Sequence, residues 1–116
     1  MIKPASEFIA EAQKNIKCIN PSQAKNMLNY NDSLIVIDVR EPAETLEGNL
    51  NCSINIPRGL LEMKTPEHCP NHETTILVHC AAGGRASLAA VRLNEMGYKN
   101  VYAITAKFED IKKTLD

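Results

Sequence analysis

Cys80 stands where a cysteine can act as a nucleophile. It follows the apolar run Thr75-Ile76-Leu77-Val78 and opens the segment Cys80-Ala81-Ala82-Gly83-Gly84-Arg85, after which Ala86, Ala89, Ala90, Leu93 and Met96 repeat at helical spacing. A buried strand, a small glycine-rich turn and a helix start are therefore expected in succession. Glycines let such a turn curl with positive φ, and a curled turn points successive N–H groups inward as an anion-binding nest. The helix N-terminus adds unsatisfied N–H groups and the positive end of its dipole, and Arg85 adds a full charge. Each of these favours a thiolate over a thiol. The expectation is an ionised, nucleophilic Cys80 facing a pocket for an anion, with Ala81, Ala82, Gly83, Gly84 and Arg85 as its binding surface.

The other cysteines are Cys18, Cys52 and Cys69. Free cysteine is among the most buried residue types, so packing is the expected role of Cys18 and Cys52. His68-Cys69-x-x-His72 holds metal-ligand residue types but lacks a second pair at finger spacing. A solvated loop is expected there, with no metal and no organic cofactor. Cys69 could alternatively resolve an oxidised or sulfur-loaded Cys80 as a disulfide. Thirteen basic and fourteen acidic side chains in 116 residues leave a net charge of −1. There is thus no basic field for nucleic acid, and any anion site must be local. No apolar run approaches the ~20 residues that span a bilayer. Met1 to Gln13 carries Lys3, Glu7 and Glu11 without an apolar core. No leader or membrane contact is expected, the cytoplasm is the default compartment, and its thiols stay free.

The elements that must position the cysteine follow from periodicity. Phe8, Ile9, Ala12 and Ile16 form one helical stripe, an amphipathic helix expected to pack on the domain surface. Asn20-Pro21-Ser22-Gln23 is a helix start with a cap, a proline at the first turn and a capping-box glutamine. Leu34 to Ile37 is a short continuous apolar run, as in a strand buried on both faces. Ile54-Asn55-Ile56 is a further strand, Gly59 to Met63 a helical turn, Thr65 to Glu73 a loop, Asn100 to Ile104 a strand, and Phe108, Ile111 and Leu115 mark a last helix. Alternating strands and helices imply an α/β fold with a mostly parallel central sheet flanked by helices. Sites in such sheets form at the carboxyl ends of strands, which singles out the loops after Ile37 and Val78.

Cys80-x-x-Gly83-x-Arg85 after a buried strand resembles the active loop of rhodanese-family sulfurtransferases. Asp38-Val39-Arg40-Glu41-Pro42-Ala43-Glu44 resembles that family's Asp-x-Arg-x-x-x-Glu segment, Asn55-Ile56-Pro57 its Asn-Ile-Pro, and Glu95 to Tyr102 its helix end and following strand. The resemblance implies a rhodanese-like domain over residues 16–116, preceded by an N-terminal helical extension over 1–15. The chain departs from the family pattern at Gly48-Asn49-Leu50, Cys52-Ser53 and Thr105-Ala106-Lys107-Phe108. Ala81 is neutral where many relatives carry a charge, and Ala86 stands where many carry serine.

The resemblance further implies sulfur transfer. Cys80 would take a sulfane sulfur from thiosulfate or a persulfide donor, hold it as a persulfide, and pass it to cyanide or a thiol, with a sulfur-accepting protein among the implied acceptors. Two roles are open to Arg85: contact with the substrate, or bracing of the loop through a carboxylate such as Asp38 or Glu44. Asp38, Arg40 and Glu44 are expected to support the site, Asp38 and Arg40 as a salt bridge bracing the loops. One alternative is a sulfur-relay or binding module acting with a partner. Another is a cysteine-dependent phosphatase or arsenate reductase, because His79-Cys80 to Arg85 is similar to the His-Cys-x5-Arg loop of tyrosine phosphatases. Only four residues separate Cys80 from Arg85, however, which makes a smaller cradle.

Overall fold

The apolar runs pair as a parallel sheet. In the computed structural model, which describes residues 1–116, the chain runs α1 (Ala5–Asn15), β1 (Lys17–Ile19), α2 (Pro21–Tyr30), β2 (Ile35–Asp38), α3 (Pro42–Glu47) and β3 (Ser53–Asn55). A 3-10 turn (Arg58–Leu60), α4 (Leu61–His68), β4 (Thr75–His79), α5 (Gly84–Met96), β5 (Asn100–Ile104) and α6 (Phe108–Leu115) complete it. The strand order is β1-β5-β4-β2-β3, and every pairing is parallel. The α/β architecture is the one read from the sequence. Pairing of Asp38 with His79 across β2 and β4 brings the two expected site loops out side by side at one end of the sheet.

Side chains alternate between the faces of a strand, and two cores result. Ile37, Val39, Ile76 and Val78 pack on one face with Leu61 of α4 and Ala86, Ala89, Ala90 and Leu93 of α5. Val36, Leu77 and Ile104 pack on the other with Ala24 of α2 and Ile111 and Leu115 of α6. Asn20 caps α2 as expected: its side chain accepts from the Gln23 N–H at 2.8 Å, and the Gln23 side chain accepts from the Asn20 N–H at 2.8 Å. Gly97 ends α5 with φ 111°, a left-handed position that costs glycine little.

Several expectations are corrected. Thr65 to His68 is not loop: α4 runs to His68 with Pro66 inside it. Proline removes one helical donor, but Leu61 and Thr65, one turn apart, are both fully buried, and that packing outweighs the missing bond. The sequence reading passed over β1, a three-residue edge strand whose first two residues are exposed. It also passed over α3, a six-residue helix that begins with Pro42. Cys18 and Cys52 are exposed rather than packed.

Candidate active site

Cys80 follows the last residue of β4 and is 1% exposed. Its Sγ accepts two backbone hydrogen bonds, from the Gly83 N–H at 3.1 Å and the Ala86 N–H at 3.3 Å. The turn closes back on the sulfur because Gly83 adopts φ 103°, which a side-chain-bearing residue rarely tolerates. A Cβ there would also lie 3.2 Å from Thr105 Cα in the loop after β5. Of the donors expected from residues 81 to 85, the turn aims that of Gly83 at the sulfur. The second donor, Ala86, belongs to the first turn of α5. Ala81 uses its carbonyl instead, accepting from the Phe108 N–H at 2.9 Å and tying the loop to α6. Ala82 is exposed at the tip. Two backbone donors, one from the turn and one from the helix start, thus converge on a single sulfur atom.

Arg85 is engaged by a carboxylate. Its guanidinium makes a bidentate pair with Glu44 of α3, at 2.7 and 3.0 Å. Those bonds, with the Glu41 N–H, pull the Glu44 carboxyl down to about 2 and raise Arg85 further above its ordinary value. Both side chains are more than a third exposed, so the pair positions the loop more than it stabilises the fold.

The loop after β2 is braced by a buried pair. Arg40 Nε donates to both oxygens of Asp38 at 3.0 and 3.1 Å, and its Nη2 donates to Asp38 Oδ2 at 2.8 Å and to the Gly48 carbonyl at 2.8 Å. Thr45 Oγ1 donates to Asp38 as well, at 3.0 Å. Burial pushes the Asp38 carboxyl up, but the bonds from Arg40 and the charges of His79 and Arg40 outweigh it, and the net shift is downward. Loss of one partner from such a pair costs about 3–5 kcal/mol. Asn55 Nδ2 clips the same loop by donating to the Asp38 and Arg40 carbonyls at 2.9 and 3.0 Å.

Behind the cysteine, Phe108 lies between two site residues. The Arg40 guanidinium sits 3.9 Å above its ring, and His79 stacks on it at 6.0 Å. His79 is fully buried and neither ring nitrogen has a hydrogen-bond partner. Burial pushes its pKa down to about 4 despite the Asp38 charge, so it is neutral at neutral pH.

Cys80, Gly83, Gly84, Arg85, Asp38, Arg40 and Glu44 thus gather at one end of the sheet. Cys69 does not join them. It packs at the far end, where its carbonyl accepts from the hydroxyl of Tyr98, just past the end of α5. Thirteen residues of α5 lie between, about 20 Å of helix, so a Cys69–Cys80 disulfide has no geometric basis. The sequence reading missed Phe108 and the bracing role of Asn55. Asn55 was visible only as part of the Asn-Ile-Pro string, and nothing local marks a helix-start phenylalanine as a partner of Arg40.

The rhodanese-like domain family model matches residues 20–114. The Escherichia coli thiosulfate sulfurtransferase PspE is 34% identical over 65 residues, 56% of this chain and 62% of that protein. A Bacillus subtilis protein named as a candidate sulfur carrier is 27% identical over 109 residues, 94% of this chain and 58% of that one. A solved structure from Rhodopseudomonas palustris, described as a protein of unknown function and possible tyrosine phosphatase, superposes with a TM-score of 0.85 at 24% identity. The match covers 97% of this chain and 92% of that one, and at that identity the likeness is one of fold. The chain spans less than two thirds of the length of the curated relatives it matches.

Proposed function

This chain belongs to the rhodanese-like domain family, and on that premise we propose that it is a sulfurtransferase in which Cys80 carries the transferred sulfur as a persulfide. The observation that carries the reading is the convergence of the Gly83 and Ala86 N–H groups on Cys80 Sγ. In the first half-reaction the Cys80 thiolate attacks the outer sulfur of thiosulfate. A new S–S bond forms, the S–S bond of thiosulfate breaks, and sulfite leaves with the electron pair. In the second, cyanide or a thiolate attacks the outer sulfur of the persulfide, and Cys80 departs as thiolate. This is covalent catalysis with ping-pong kinetics. The two N–H groups hold the negative sulfur at both ends of the cycle.

A second reading, a sulfur relay that loads from a persulfide donor on a partner, is favoured by the Arg85–Glu44 pair. With its guanidinium engaged and Ala81 and Ala82 neutral, the loop offers no free cation to the thiosulfate dianion. The Bacillus relative named as a candidate sulfur carrier fits that reading. A phosphatase reading is not favoured: four residues separate cysteine and arginine, and the arginine is paired with Glu44.

The test is intact-protein mass spectrometry after incubation with thiosulfate, with Cys80→Ala as control. Gain of one sulfur by the wild type alone, removed by cyanide, is expected. No gain from thiosulfate but gain from a hydropersulfide would select the relay reading, and no gain from either would overturn both.

A further inference from the structure

Gly83 carries the N–H that holds the sulfur, and glycine is the least restrained residue in the chain. The peptide unit that carries the Gly83 N–H and the one that carries its carbonyl are joined only by φ and ψ of Gly83, which has no side chain to restrain them, so the restraint must come from its surroundings. Ser87 supplies it. The Ser87 N–H donates to the Gly83 carbonyl at 3.0 Å, as the helix requires, and Ser87 Oγ donates to the same carbonyl at 2.7 Å. Ser87 is fully buried. Its hydroxyl is oriented from the other side by Gln13 of α1, whose Nε2 donates to it at 3.1 Å. A hydroxyl has one proton, so the bond accepted from Gln13 leaves that proton free for Gly83. The same helix touches the loop once more. Ile9 lies so close over Gly84 that a Cβ there would meet Ile9 Cδ1 at 2.9 Å.

From this arrangement we infer that Ser87 and Gln13 are positioning residues for the sulfur-carrying loop, with α1 as the strap that holds Gly83 in register with Cys80. The helix lies outside the residues matched by the family model, which begin at 20. The strap would therefore be a feature of this chain's extension acting on the domain's own site. The inference deepens the sulfurtransferase reading and rests on it for its consequence in turnover. Its geometric content concerns the reactivity of Cys80 alone.

The experiment measures two rates on the full chain, wild type, Ser87→Ala, Ser87→Thr and Gln13→Ala. One is iodoacetamide alkylation of Cys80 at fixed pH, followed by mass spectrometry; the other is sulfur loading from thiosulfate. Thermal melting is recorded alongside. Misalignment of one donor by a fraction of an ångström is expected to slow both rates by about tenfold in Ser87→Ala and about threefold in Gln13→Ala, within the cost of small misplacements. Melting in Gln13→Ala should be nearly unchanged, since its side chain is exposed. Ser87→Thr restores the hydroxyl, which in a helix bonds the carbonyl four residues back, and is expected to recover most of the alkylation rate. Wild-type alkylation in Gln13→Ala would overturn the inference even if Ser87→Ala failed to fold, as would a folded Ser87→Ala with the wild-type rate. A wild type that takes no sulfur from thiosulfate or from a hydropersulfide, with alkylation slowed in the variants as stated, would overturn the transferase reading and leave the positioning role supported.

Discussion

Cys69 and Cys80 are equally buried, each 1% exposed, and belong to the same core cluster. Their surroundings are opposite. Cys69 lies at the far end of α5, and burial alone pushes its thiol up. Cys80 lies at the carboxyl end of β4, where two backbone N–H groups meet its sulfur. Burial by itself makes a cysteine a small apolar residue. Reactivity depends on what the buried sulfur faces, and the helix start supplies donors that the helix end cannot.

The sharpest way to break this comparison is to remove each sulfur in turn. Cys80→Ser is expected to abolish sulfur loading, whereas Cys69→Ser should load at the wild-type rate. Loading that persists in Cys80→Ser would remove Cys80 from its role. The loop can then be lengthened: one glycine inserted after Gly84 shifts the donors along the turn, and loading rates should fall by about a hundredfold. A rate within twofold of the wild type would show that the cradle does not depend on its length.

The next test concerns the neighbour of Cys80. His79 titrates near 6.5 when unfolded and near 4 when folded. Between those values the unfolded chain binds the proton and the folded chain does not. Stability that is complete above pH 6.5 is therefore lost as pH falls towards 4, by up to about 3 kcal/mol. Urea denaturation at stepped pH should show this slope, and His79→Leu should flatten it. An unchanged slope in that variant would assign the loss to other groups. Below about pH 4.5 the protonation of Glu44, held down to about 2, adds to the loss.

The smallest expected effect bears on the donor. Glu44→Gln frees the Arg85 guanidinium, and the KM for thiosulfate should drop by about two- to fivefold, the worth of an exposed ion pair. An unchanged KM would show that the pair does not govern anion binding.

The legible part of the site was local. The cysteine, the turn and the helix start lie within seven consecutive residues, Cys80 to Ala86, and what they could do was argued from residue type. The pairing of Asp38 with Arg40, two residues apart, was legible for the same reason. The two expected roles of Arg85 could not be separated without the fold, because its partner Glu44 lies 41 residues away. The same distance problem hid Phe108 from Arg40, and Gln13, 74 residues from Ser87.

By itself the sequence determined the alternation of strands and helices, the order of the elements around Cys80, and the turn that glycine alone allows at Gly83. Those are decided by periodicity and backbone sterics over a few residues. The tertiary structure decided that β1 adds to the sheet beside β5, that Cys18 and Cys52 face outward, and that α1 reaches the loop and helix start through Ile9 and Gln13. Each of these depends on contacts between distant segments, whose energies come from burial and packing and leave no mark on the spacing of neighbouring residues.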